Sequence, residues 1–130
     1  MKKSLFLLVI TLCTIIMTGC YKTTPTKASS EYLTYCKKGN YKKIPNCLYF
    51  EGTKEEQKKE KEYATEIMVK LVGPAYDAKK GLKDFSILSE TIHKGDTTAT
   101  VHYAVVYGNG DMEENDLYLF KKGNKWYLYF

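Results

Sequence analysis

The sequence contains no arginine: all 20 basic side chains are lysine, set against 15 acidic residues. Bidentate guanidinium contacts to guanine are thereby excluded, and with them the commonest device of sequence-specific nucleic-acid readout. No nucleic-acid partner is expected. Histidine is nearly lacking, with only His93 and His102. Neither CxxC nor HExxH occurs, nor a phosphate-binding glycine-rich loop, nor a nucleophile elbow. Zinc-site, metalloprotease, nucleotide and serine-hydrolase chemistry therefore has no motif to rest on. Gly108-Asn109-Gly110 is a turn, without the third glycine and following helix of a dinucleotide loop. No metal and no cofactor is expected. Beyond Met17 there is no long apolar run that would cross a bilayer as a helix.

What is present begins with Lys2-Lys3, an apolar core from Leu5 to Met17 broken only by Thr11 and Thr14, and then Thr18-Gly19-Cys20. That order is the signature of a secretory signal peptide, and the closing cysteine gives it the look of a bacterial lipoprotein signal. The run falls short of the roughly 20 apolar residues a spanning helix needs. Residues 1–19 are expected to be removed as the signal, with Cys20 acylated and anchoring the chain to a membrane. Several acyl chains hold firmly where one binds marginally. The 111 residues from Cys20 onward suffice for one domain with one core. Their 18 lysines and 15 acids leave a formal charge of +3, and Lys22 and Lys27 lie beside the anchor. Tyr21-Lys22-Thr23-Thr24 carries no acidic residue, so a periplasm-facing envelope location is expected.

Residues 20–28 read as the lipidated cysteine and a tether, and residues 29–130 as a single α+β domain. Ser29 or Ser30 can cap a first helix to about Lys38, with Tyr32, Leu33 and Cys36 on its apolar stripe and Gly39-Asn40 ending it. A second short helix is expected from about Lys42 to Phe50, bearing Ile44, Cys47 and Leu48. Thr53-Lys54-Glu55-Glu56 is a capping box that starts a third. Tyr63/Ala64, Ile67/Met68, Leu71/Val72 and Ala75/Tyr76 recur every four residues across Gly73-Pro74, so a kink is expected there and not an end. Lys54 to Glu62 is polar all round and should project into water, with Glu55–Lys59 and Glu66–Lys70 as supporting pairs.

After Gly81 the period changes to two, predicting strands near Asp84–His93, Thr97–Tyr107, Met112–Lys121 and Lys125–Phe130. If Lys94-Gly95-Asp96 and Asn109-Gly110-Asp111 are three-residue loops, one face collects the apolar set. That face holds Phe85, Ile87, Ala99, Val101, Tyr103, Val105, Leu117, Leu119, Trp126, Leu128 and Phe130. It is the surface for the three helices to cover.

Four stretches then carry a resemblance: Lys38-Gly39-Asn40-Tyr41, Tyr49-Phe50-Glu51-Gly52, Gly95-Asp96-Thr97-Thr98-Ala99-Thr100-Val101, and Lys122-Gly123-Asn124-Lys125-Trp126-Tyr127. In this order the chain resembles small bacterial lipoproteins with the domain of unknown function 4878. The resemblance implies a cone-shaped fold similar to nuclear transport factor 2 and the ketosteroid isomerases. It implies no activity, and the isomerases' acidic residues have no matching position here.

The opposite sheet face would carry Leu88, Ile92, His102, Val106, Tyr118, Phe120, Tyr127 and Tyr129, too apolar for plain solvent contact. It is the candidate surface for a protein partner or a homodimer. His93 and His102 should point to opposite faces and share nothing. Cys36 and Cys47, on neighbouring apolar stripes, are either two buried thiols or a disulfide. Tyr103 and Trp126 are the candidates to line an interior pocket. A proton-transfer enzyme of this shape needs a carboxylate or histidine inside an apolar cone. The core-face strand positions lack one, their few polar members being Ser89, Thr91 and Asn115. The expectation is a non-catalytic binding module, with an isomerase- or hydrolase-like enzyme or a small-molecule carrier as alternatives.

Overall fold

The computed structural model describes residues 24–129, so Cys20 and the leader lie outside the described residues, as does Phe130. Helix α1 spans Pro25–Lys38 and a 3₁₀ segment spans Tyr41–Cys47. Helix α2 (Lys54–Ile67) passes through a π-helical turn, Met68–Val72, into α3 (Gly73–Asp77). Four strands follow: β1 (Leu82–Ile92), β2 (Thr98–Tyr107), β3 (Met112–Lys122) and β4 (Lys125–Tyr129). They form one antiparallel meander in the order β1-β2-β3-β4. Three helical stretches packed with a four-stranded sheet is the expected α+β class. Among the described residues no helix is long and apolar enough to cross a membrane.

Helix α1 starts earlier than Ser29. Thr24 is its N-cap, its hydroxyl accepting from Lys27 N at 3.1 Å, and Pro25 takes the first turn, where its missing N–H is harmless. Glu90 of β1 adds a second cap, accepting from Thr26 N at 2.9 Å and from the Thr26 hydroxyl at 2.8 Å. Pro25 and Ala28 are buried, so residues 25–28 belong to the folded body and not to a tether. Gly39 closes the helix in the left-handed conformation, as expected.

The second helix is the 3₁₀ segment, and it ends at Cys47, short of Phe50. Pro45 lies inside it, where an α-helix would lose a hydrogen bond and suffer a clash. Thr53 caps α2 through Glu56 N at 3.2 Å, as the capping box requires. The kink near Gly73-Pro74 takes the form of the preceding π-helical turn, which keeps the helix running. Gly73 is buried because the Tyr41 ring lies against it; a Cβ there would sit 3.2 Å from that ring. The apolar stripe that runs from α2 through the π-helical turn into α3 is only partly used: Met68, Val72 and Tyr76 pack on the core, while Tyr63 and Leu71 stay exposed. Neither Glu55–Lys59 nor Glu66–Lys70 closes into an ion pair among the described residues.

The core face of β2, β3 and β4 is as expected. Ala99, Val101, Val105, Leu117, Leu119, Trp126 and Leu128 are buried beneath Tyr32, Leu33 and Cys36 of α1 and Ile44 of the 3₁₀ segment. The β2–β3 loop is Gly108-Asn109-Gly110, with Tyr107 N bonded to Asp111 O at 2.8 Å. This moves the pairing two residues from the expected register, to Ala99 opposite Leu119 and Val101 opposite Leu117. A shift of two preserves each residue's face.

Strand β1 departs more. Its loop to β2 holds four residues, Lys94–Thr97, because Gly95 and Asp96 both take positive φ and His93 N bonds Thr98 O at 2.9 Å. Ile92 therefore pairs with Ala99 on the helix side, and Thr91 with Thr100 and Ser89 with His102 on the outer side. A bulge between Ile87 and Ser89 then removes the one-residue shift, so Phe85 and Ile87 meet Val105 and Tyr103 as expected.

Candidate functional site

The outer face of the sheet is aromatic at one end and charged in the middle. Tyr118 and Tyr129 are opposite each other on β3 and β4 and are 57% and 69% exposed. Phe120 and Tyr127 pair beside them, rings 5.9 Å apart, with Tyr49 against both at 6.0 and 5.2 Å. The loop after the 3₁₀ segment thus reaches onto this face, a contact that strand alternation does not encode. Leu88 sits in the bulge, exposed, and Val106 is half-buried. Ile92 leaves the expected surface for the helix side, since the four-residue loop changes its phase.

His102 lies on this outer face between two carboxylates. Its Nδ1 is 2.6 Å from Asp116 and its Nε2 3.3 Å from Glu114. The Asp116 hydrogen bond, then that of Glu114, raises the imidazole above its ordinary value. His93 shares this face and not the opposite one, its Nε2 lying 2.8 Å from the Thr100 hydroxyl. Among the described residues no cluster of three or more His, Cys, Asp or Glu has the arrangement to hold a metal.

The helix side closes over a polar aromatic mouth. Tyr41 stacks on Tyr76 at 6.0 Å, and Tyr76 meets Tyr107 at 6.1 Å. Lys79 lies 4.5 Å over the Tyr107 ring and pairs with Glu113, which also accepts from the Tyr107 hydroxyl at 2.9 Å. Those bonds, Lys79 first, hold the Glu113 carboxyl below its ordinary value. A cleft of about 340 Å³ opens here between Leu71, Val72, Ala75, Tyr76, Lys79 and Tyr107. Glu113 pairs with Val105 on the helix side of the sheet, and sequence reasoning passed over it. Its alternation with Glu114 and Asp116 was the available signal, but its partner Lys79 comes from beyond α3.

Deeper in, the ionisable groups are phenols and thiols. Burial raises Tyr32, Tyr76 and Tyr103, so all three stay neutral. Tyr103 and Trp126 are packed, Trp126 at 5% exposure, and neither lines this cleft. Cys36 and Cys47 are free and buried, so the disulfide alternative does not hold. The Cys36 thiol faces the Tyr76 and Tyr32 hydroxyls, and burial lifts Cys47 to about 12.

A crystal structure from Campylobacter jejuni, provisionally named an NTF2-like transpeptidase, superposes on this chain with a TM-score of 0.62 at 19% identity. The match covers 82% of this chain and 97% of the other, which establishes the cone-type fold. No curated protein matches the chain. The pattern of the domain of unknown function DUF4878 matches residues 18–129, which include all of the described residues. The chain therefore belongs to the DUF4878 family, with the nuclear transport factor 2-like architecture.

Proposed function

We propose that the protein is an envelope lipoprotein, anchored through Cys20, whose domain binds a partner and does not catalyse. The observation that carries this is the filled interior. Leu33, Ile44 and Val101 are 0% exposed where a reaction chamber would lie, and the groups around them are neutral phenols and thiols. The Campylobacter neighbour's name speaks of transpeptidation, which proceeds through an activated nucleophile. Here burial of Cys36 and Cys47 disfavours their thiolates. The binding surface in this reading is the outer sheet end around Tyr118 and Tyr129, where amphipathic rings suit a protein or a second copy.

Two measurements test it. Full-length protein should fractionate with membranes and take up acyl label, and Cys20→Ser should lose both. Incubated with peptidoglycan stem peptides, the protein should form no new peptide bond. Turnover abolished by Cys36→Ser or Cys47→Ser would replace the binding reading with an enzymatic one.

A further inference from the structure

A larger cleft, of about 590 Å³, opens between the 3₁₀ segment with its following loop and the first turns of α2. Lys54, Lys58, Lys61 and Lys125 line it together with Tyr49, Phe50 and Tyr127, and no acidic residue does. Lys54, Lys58 and Lys61 follow i, i+4, i+7 spacing, so their stems leave one side of α2, about 6 and 4.5 Å apart along its axis. Among the described residues none of the three has a carboxylate partner. The Lys125 ammonium lies 5.4 Å from the Tyr127 ring, and that of Lys122 lies 5.6 Å from the Tyr49 ring. Asn46 and Gln57 add amides; Gln57 Nε2 donates to Gly52 O at 2.9 Å, which turns its donor away and leaves its carbonyl oxygen available.

A helix face of lysines is ordinarily a solvated face. This one is set against aromatic rings across a concavity, and its ammonium groups close no ion pair among the described residues. Bringing so many like charges together is unfavourable unless an anion joins them. A flat bilayer meets a convex surface, whereas this cleft requires a ligand that enters it. Aromatic rings accept the apolar faces of sugar rings, amides bond their hydroxyls, and ammonium groups in a row along one helix side match acid groups repeated along a chain.

We propose that this cleft binds an acidic oligosaccharide, its carboxylates paired with Lys54, Lys58 and Lys61 and a sugar ring stacked on Tyr127. The site adjoins the Tyr118 and Tyr129 surface through Tyr49 and Tyr127, and it does not depend on the anchor. The test is calorimetric titration of the full-length protein in detergent with hexagalacturonate, neutral maltohexaose and single-stranded oligothymidylate. Sedimentation with phosphatidylglycerol vesicles is run beside it. Hexagalacturonate should bind at least about ten-fold more tightly than maltohexaose. The Lys58→Glu/Lys61→Glu variant should bind it at least about ten-fold more weakly, with unchanged circular dichroism. The Lys83→Glu/Lys94→Glu variant makes the same charge change at exposed positions outside the cleft, and its affinity should shift by less than about two-fold. Equal losses in the two variants would mean diffuse attraction and overturn the proposal. So would equal binding of maltohexaose, tighter binding of oligothymidylate, no binding at all, or vesicle binding that alone responds to the cleft variant.

Discussion

Two hydroxyls carry a local cost in this protein. Ser29 and Ser86 are 0% and 1% exposed, and neither Oγ has a hydrogen-bond partner. A buried unsatisfied hydroxyl costs about 1–3 kcal/mol, and alanine is the better helix former within α1. Ser29→Ala should therefore raise stability by about 1 kcal/mol, read as a higher urea midpoint with an unchanged slope. Glu113 predicts a pH effect. Its folded value lies below its ordinary 4.5, so its stabilising contribution is complete above that pH and is lost as pH falls through the folded value. Lys79→Ala should move the Glu113 titration, followed by NMR, back towards 4.5 and flatten the acid limb of the stability profile. The thiols give a third test. With Cys47 lifted to about 12 and Cys36 buried, neither should react with iodoacetamide at pH 8 in the native protein, and both should react in urea. A native disulfide between them would leave neither Cys36 nor Cys47 reactive in urea. Cys36, Leu33 and Tyr32 were legible as core because helical spacing encodes burial; the Lys79–Glu113 pair was not, because it joins residues distant in sequence.

At the scale of elements, the β2–β3 hairpin is pinned to the end of the helical layer. Gly108 N bonds Gly81 O at 2.8 Å and Asn109 N bonds Lys79 O at 3.0 Å. A Cβ on Gly108 would lie 2.0 Å from the Lys80 carbonyl oxygen. Gly108→Ala should force the two backbones apart and cost about 2 kcal/mol or more, measured by thermal or urea unfolding. Alternation and turn residues showed the four strands and the buried face of β2 to β4, since period and loop chemistry are local. What they did not show was the phase of β1, where the extra loop residue and the bulge cancel. Nor did they show the start of α1, because Pro25 and a threonine cap look the same in a linker as in a first turn. The winding of the second short helix was not legible for a related reason: Ile44, Cys47 and Leu48 satisfy either winding, and the segment ends at Cys47.

For the whole molecule, α1 beginning at Pro25 sets a length. Only Tyr21 to Thr24 separate Cys20 from the helix, and a fully extended chain gains at most about 3.6 Å per residue. If Cys20 carries the acyl groups, the leash is under about 20 Å and the body rides close against the headgroups. Such a protein has no reach: whatever it meets must come down to the lipid surface.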